Sequence, residues 1–381
     1  MSSNCILVTA VLAGAAALAA QEAPLPGGAV SINLPKDSPV ALLSLETDQS
    51  RTTMRGAAMV LDLHLAMKLR NSGPNRIHGV TLRVISQEVT MGGKGSVTIP
   101  SLNVGPGDTF PVRVDMQLVR PTQVAGGPLV QVDLDGVLFQ DLGFYGPDRL
   151  NSRRYLTACE LEAQRDRERF KRVLARSGKE GLRQAMVDSL ERQAEMQALT
   201  VKVRRGGAAV SSAALPGSEH MAKFAFLKMP DSPVEPLEGS AVISANEARA
   251  PFVEVRNTTS RPVKYVEVSW LVGDDGGHEY LAGSLPSPNA TFYLPPGKSG
   301  RVGQESTLHF SQAGQPVNIR KMTAYVSQVE FADGKVWVPG RQSVENPELR
   351  KVLEPSAEEQ RLAGIYRRKG LDALVEELKK F

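Results

Sequence analysis

From Met59 to Leu69 every second residue is apolar. Met59, Leu61, Leu63, Leu65, Met67 and Leu69 share one side, and Val60, Asp62, His64, Ala66 and Lys68 share the other. A period of two predicts a half-buried β-strand. Asn71-Ser-Gly-Pro-Asn75 breaks the run with turn-forming residues, and Ile77 to Ile85 alternates again. The plan returns later in the chain. Phe252 to Arg256 alternates, Asn257-Thr-Thr-Ser-Arg-Pro262 turns, and Val263 to Val272 alternates until Asp274-Asp-Gly-Gly277 ends it in a hairpin-type turn.

The two stretches are copies in sequence as well as in pattern. Leu69 to Val84 lies without gaps over Val255 to Trp270, with Asn71 and Asn257 in register. Asp37-Ser-Pro-Val40 pairs with Asp231-Ser-Pro-Val234, Val104-Gly-Pro-Gly-Asp108 with Leu294-Pro-Pro-Gly-Lys298, and Asp135-Gly136 with Asp333-Gly334. Self-similarity at this spacing predicts one folding unit present twice. An Asp-Gly between alternating apolar runs is a hairpin signal. It is expected at 135–136, between Val130–Leu134 and Val137–Phe139, and again at 333–334. Short strands separated by turns, with no helix between them, predict two antiparallel immunoglobulin-like β-sandwiches over residues 28–147 and 221–342.

Val255-Arg-Asn-Thr-Thr-Ser-Arg-Pro-Val-Lys-Tyr-Val-Glu-Val268, the Asp-Asp-Gly-Gly turn and Leu294-Pro-Pro-Gly-Lys298 together resemble the FxLYD-type domain, a small sandwich of bacterial envelope and secreted proteins. The likeness covers about a hundred residues of the second unit and, more faintly, the first. Trp270-Leu-Val-Gly-Asp274 stands where that family carries its Phe-x-Leu-Tyr-Asp string. The resemblance implies fold and an exported location, not an activity.

Each sandwich is followed by helical sequence, at 149–198 and 343–381. Arg153 to Ala175 and Gly181 to Ala198 lack proline and break at Ser177-Gly178. Leu182, Met186 and Leu190 form one apolar stripe; Leu371, Leu374, Val375 and Leu378 form another. Such helices need a surface to dock on, which makes oligomerisation through them one expectation. Residues 199–220 read as a flexible linker. Residues 1–20 contain a charge-free, Ala-rich run ending in small side chains, which reads as a cleaved signal peptide.

Charge and candidate chemistry narrow the function further. The formal net charge is +4, and Arg149 to Met196 holds twelve Lys and Arg against eight Asp and Glu. Acids Glu160, Glu162, Asp166 and Glu168 interleave with Arg165, Arg167, Arg169 and Arg172, so that segment reads as a solvated helical face, with a Glu168–Arg172 pair, rather than a nucleic-acid stripe. Cys5 would leave with the signal, and Cys159 reads as a small packed hydrophobe. Asp133, Asp135 and Gly136 imitate a calcium loop, but Gln131 and Leu142 occupy positions that need acids.

His64, His78, His220, His278 and His309 show no metal-ligand spacing. Gly92-Gly-Lys-Gly95 reads as a turn, Trp270 and Trp337 as core, and the sequons at Asn257 and Asn289 as incidental. No catalytic, cofactor-binding or metal-binding residue is assigned, and no cofactor is expected. The expectation is an exported, non-enzymatic bacterial protein, secreted or periplasmic, acting as an adhesion, scaffold or interaction module for another envelope or secreted protein, without nucleic acid or a transmembrane anchor. The alternative is an enzyme or a metal- or carbohydrate-binding protein with a site in the cleft between the units.

Overall fold

The computed structural model describes residues 22–88, 92–122, 127–205, 219–286, 292–303 and 306–381. The stretch read as a signal, linker residues 206–218 and the Asn289 sequon lie outside them. The chain divides into two compact units. Residues up to 76, 81–98 and 104–135 belong to the first; 77–80, 99–103 and 136–381 belong to the second. Among the described residues strands hold 47% and four helices 23%, so the fold is mainly β with several sheets.

Short strands β1 (Glu22–Pro24), β2 (Val30–Asn33), β3 (Val40–Glu46) and β4 (Arg51–Arg55) precede the long β5 (Ala58–Asn71). Then come β6 (Ile77–Ile85), β7 (Lys94–Ile99), β8 (Thr109–Pro121), β9 (Val130–Phe139) and β10 (Phe144–Tyr145). One sheet runs β1-β4-β5-β3, with β8 also on β5; the other runs β10-β9-β6-β7, with β2 parallel to β9. The alternation in β5 has its expected result: Leu61, Leu63, Leu65, Met67 and Leu69 are buried, whereas Asp62 and Lys68 are exposed.

Helix α1 (Ser152–Glu195) follows and lies in the second unit. Thr200–Arg205, inside the stretch read as linker, forms β11 by pairing with a strand more than a hundred residues later. Next come β12 (His220–Lys223), β13 (Ala225–Phe226), β14 (Val234–Ser244), β15 (Glu247–Asn257), β16 (Val263–Asp274) and β17 (Glu279–Pro286). They are followed by β18 (Ser299–Gly303), β19 (Ser306–Gln312), β20 (Gln315–Pro316), β21 (Ile319–Phe331) and β22 (Val336–Trp337). The chain closes with α2 (Arg341–Glu345), α3 (Pro347–Val352) and α4 (Ala357–Leu378). Here the sheets run β11-β19-β15-β14-β12, with β18 on β15, and β13-β21-β16-β17, with β22 on β21. Val253, Val255, Val266, Trp270, Phe310 and Val326 share the core they enclose.

The strand pairings recur in matching register. Val40 faces Asn71 and Arg70 faces Thr109; Val234 faces Asn257 and Arg256 faces Ser299. The short parallel strand β2 on β9 has its counterpart in β13 on β21. Asp274 to His278 makes the expected turn, with Gly277 at φ 82°.

The Asp-Gly correspondence is corrected. Asp333-Gly334 does make a hairpin turn, with the Phe331 N–H donating to Lys335 O at 2.9 Å and Gly334 at φ 83°. Asp135-Gly136, however, lies inside continuous β9, and the turn comes six residues later at Asp141-Leu142. There the Phe139 N–H donates to Gly143 O at 2.9 Å and the Gly143 N–H to Asp141 Oδ1 at 2.9 Å, matching the Lys335 N–H to Asp333 Oδ1 bond at 3.1 Å. Leu142 takes the left-handed position at φ 64°. Gly136 serves another need, because a Cβ there would meet the Phe144 ring at 2.3 Å.

The helical charges are also corrected. Glu160, Asp166, Arg167 and Arg169 are buried, not solvated, and Arg172 reaches Glu345 at 3.3 Å while only the Glu168 carbonyl accepts from it. The two apolar stripes cover one another: Leu182 and Met186 of α1 share a core with Leu362, Leu374, Val375 and Leu378 of α4.

Candidate functional site

A buried asparagine anchors each β-sheet system. Asn71, wholly buried, donates through Nδ2 to Asn75 O at 2.9 Å and Val104 O at 3.0 Å, and its Oδ1 accepts from the Gly73 N–H at 3.0 Å. Asn257 donates to Arg261 O at 2.7 Å and Leu294 O at 3.1 Å, and accepts from the Thr259 N–H at 3.0 Å. Backbone bonds extend both clamps, from the Asn71 N–H to Asp108 O and the Asn257 N–H to Lys298 O. Ser38 and Ser232 add matching turns onto Val40 and Val234. These groups satisfy backbone polarity that burial would otherwise leave unpaired. The asparagines are therefore structural, and Asn257 has no free amide for a glycan.

In the second unit, charge gathers where α1, α3 and α4 meet. His78 Nδ1 lies 3.0 Å from Glu160 Oε1, which also accepts from Arg167 Nη2 at 2.6 Å. Burial would raise the Glu160 carboxyl, but His78 and Arg167 hold it below its ordinary value. Arg167 continues to Glu358 at 3.5 Å, and Glu358 pairs with Arg361 at 2.8 Å. Close by, Ser356 caps α4 by accepting from the Glu359 N–H and donates to Asp166 Oδ2 at 2.6 Å. The Glu359 side chain does not fold back onto the cap. It accepts from Ser189 at 2.7 Å and Arg192 at 2.6 Å, with Arg169 and Arg350 at 3.8 and 3.9 Å. Losing any one of these buried carboxylates would leave its cations without their counter-charge.

A second polar cluster sits under the start of α1. Tyr155, Cys159 and Glu162 follow one another along one helix face. On β16, the Tyr265 hydroxyl donates to Glu267 at 2.7 Å, Ser284 also donates to Glu267, and the Arg154 guanidinium lies 3.6 Å over the Tyr265 ring. Burial, with Asp166, Glu354 and Glu267 nearby and Arg165 opposing, pushes the Glu162 carboxyl up to about 7. Burial and Glu162 push the Cys159 thiol up to about 12. Cys159 and partial burial push the Tyr155 phenol up to about 12. A carboxyl near neutrality beside phenols can hold or pass a proton.

The structure scatters the other candidates. His64 lies between Asp115 at 2.9 Å and Asp62 at 3.6 Å on an exposed face, where the hydrogen bond it donates to Asp115 raises its pKa. His278 pairs with Asp274 and His309 with Glu247, while His220 is exposed on β12. Asp133 accepts from Asn33 at 3.0 Å and Asp135 is buried within β9, so the calcium-like sequence is strand. Among the described residues no group of three His, Cys, Asp or Glu converges as metal ligands. Gly93 closes a turn by accepting from Ser86 and Gln87. Trp270 is buried with its ring 4.7 Å from Phe224, and Trp337 packs beside the same core. A cleft of about 190 Å³ lies along Leu227, Met229, Val234, Pro236 and Val326, with Lys228 and Glu235 at its lining. No described helix is long and apolar enough to cross a membrane.

No family model and no curated protein matches the sequence. Among solved structures, the chain is similar at TM-score 0.17 to the protein "pT26-6p", with 11% identity over 88% of this chain and 73% of that one. It also aligns with red sea bream transglutaminase at TM-score 0.13 (9% identity, 80% of this chain, 31% of the other) and with a β-glucosidase from Kluyveromyces marxianus at 0.15 (9% identity, 70% and 45%). Likenesses this weak carry no argument about activity. The chain spans less than half the length of the latter two.

Proposed function

We propose that this chain is an exported, non-enzymatic bacterial interaction or scaffold module, built from two copies of an immunoglobulin-like sandwich related to the FxLYD type. The matching asparagine clamps and strand registers support the duplication. The binding role rests on one observation. The sheet β11-β19-β15-β14-β12 ends in two edge strands that each expose an apolar side chain, Val203 at 44% on β11 and Met221 at 66% on β12. Edge strands offer unpaired backbone groups and are common sites of strand addition. The helical stripes cannot take this role while they cover each other.

Photo-crosslinking in intact cells, from positions 203 and 221, tests the reading, with buried position 310 as control. A discrete adduct with an envelope or secreted protein from an edge position, and none from position 310, is expected. Exported protein without an edge adduct would reject the binding role, and a cytoplasmic chain would reject export. An enzyme or a metal- or carbohydrate-binding protein is the second reading, favoured by Glu162 beside Tyr155 and Cys159. Stoichiometric zinc or calcium in purified protein would move the assignment there.

A further inference from the structure

The core between α1 and α4 is built from corresponding residues. Phe170 and Leu362, Leu182 and Leu374, and Met186 and Leu378 are each 192 residues apart, and all six are buried together. Both helices break at glycines with the same separation. Gly178 has φ 65° and ψ −166°, and Gly370 has φ 82° and ψ −177°. Only glycine adopts this region readily. Each glycine lies eight residues after one apolar anchor and four and eight residues before the next two. Leu174 and Tyr366, both packed against this core, also correspond. Asp166 and Arg169 on α1 match Glu358 and Arg361 on α4. Two helices of one design, each breaking at the same point and each burying the same stripe in the other, form a self-complementary interface. Such an interface normally joins two identical chains about a twofold axis.

We infer that the α1–α4 clasp is a fused form of a homodimer contact, and that a second copy of this chain can complete it by exchange, α4 of each chain docking on α1 of the other. The helix geometry alone carries this inference, so it stands whether or not β11 and β12 recruit a partner. Exchange requires no new contact, because every apolar anchor finds in trans the partner it has in cis. Lys179 and Asp372, 2.6 Å apart, mark the seam beside the two glycine breaks and are themselves well exposed. Substitutions there report the seam while leaving the buried anchors intact.

The test uses full-length chains with Cys5→Ser and Cys159→Ser, one carrying Lys179→Cys and the other Asp372→Cys. Each alone has one thiol, and only a mixed, exchanged dimer brings the two different thiols together. The variants are mixed, opened together in denaturant, refolded at several protein concentrations and treated with a short bis-maleimide. A covalent mixed dimer that increases with protein concentration, with little product from either variant alone, is expected for a bimolecular exchange. Refolded chains that remain monomeric and uncrosslinked at every concentration would overturn the inference. So would equal crosslinking of each variant to itself, because association would then use another surface.

Discussion

Asn257 donates through Nδ2 to the carbonyl oxygen of Leu294 at 3.1 Å, bridging the end of β15 to the turn before β18. Asn71 makes the equivalent bond to Val104 at 3.0 Å. Removing the Asn71 amide takes a donor from the Asn75 and Val104 carbonyls and the acceptor from the Gly73 N–H. Removing that of Asn257 breaks three matching bonds, although Leu294 O keeps the Val263 N–H and Arg261 O the Thr259 hydroxyl. Asn71→Ala and Asn257→Ala should each cost about 2–4 kcal/mol, the sum of lost hydrogen bonds and unpaired groups. Urea unfolding followed at separate probes in each unit checks this. A loss below about 0.5 kcal/mol, the level of an ordinary surface substitution, would show the clamp to be dispensable. The same burial predicts that folded chain made in a glycosylating host carries no glycan at Asn257, which peptide mass spectrometry reads directly.

The β-framework was legible because its causes are local. Alternation in Met59–Leu69 sets which side chains face the core, and the asparagine register follows from a gapless sequence match. The turn at Asp141-Leu142 was hidden because a leucine holds the left-handed position where glycine is the usual signal. An Asp-Gly pair lay nearby in sequence, and there the glycine instead clears space for Phe144. Stripe periodicity showed that Leu182 and Leu374 must be buried, but not that they bury one another. The charges of α1 mislead for a related reason. Interleaved acids and bases look solvated along one helix, and only His78, Glu358 and Glu359, distant in sequence, reveal that they close around buried partners.

Cys159 should be inert in the folded chain. Burial, then Glu162, push its thiol up to about 12. At pH 8 this leaves roughly 10³-fold less thiolate than an ordinary cysteine with a pKa near 8.5. In a Cys5→Ser chain, maleimide or disulfide-exchange labelling should therefore be slow in native buffer and rapid in denaturant. A native rate within about tenfold of the unfolded rate would contradict this thiol shift.

Glu162 gives stability an unusual pH dependence. Its carboxyl rises from an ordinary value of 4.5 to about 7 in the folded chain. Between these values the native state keeps a proton that the unfolded state has released, so stability falls as pH rises. This contribution is fully present below about pH 4.5 and gone above about pH 7. Its ceiling is about 3 kcal/mol, reduced by the partial exposure of the side chain. Glu162→Gln keeps a neutral side chain of similar shape and should flatten the Glu162 component of that slope. Urea midpoints measured from pH 4.5 to 8 compare the two chains. Parallel profiles would place the titrating group elsewhere.

Glu359 on α4 ties α1 and α3 together through one carboxylate. It accepts from Ser189 and Arg192 and lies within 4 Å of Arg169 and Arg350, and is itself nearly fully buried. Burial and the neighbouring guanidinium of Arg350 lower the pKa of Arg169, and burial with Arg192 lowers that of Arg350, while Glu359 opposes both shifts. Glu359→Ala leaves those cations without their shared counter-charge and should cost about 3–5 kcal/mol, as breaking a buried ion pair does. Glu359→Gln retains an acceptor for Ser189 or Arg192 and should cost less. Arg192→Ala in the Glu359→Ala background should add far less than it does alone, because the partner is already gone. A complete double-mutant cycle by denaturant unfolding measures this coupling. Additive losses would mean that Arg192 acts through the Arg350 and Leu353 carbonyls it also donates to, rather than through Glu359.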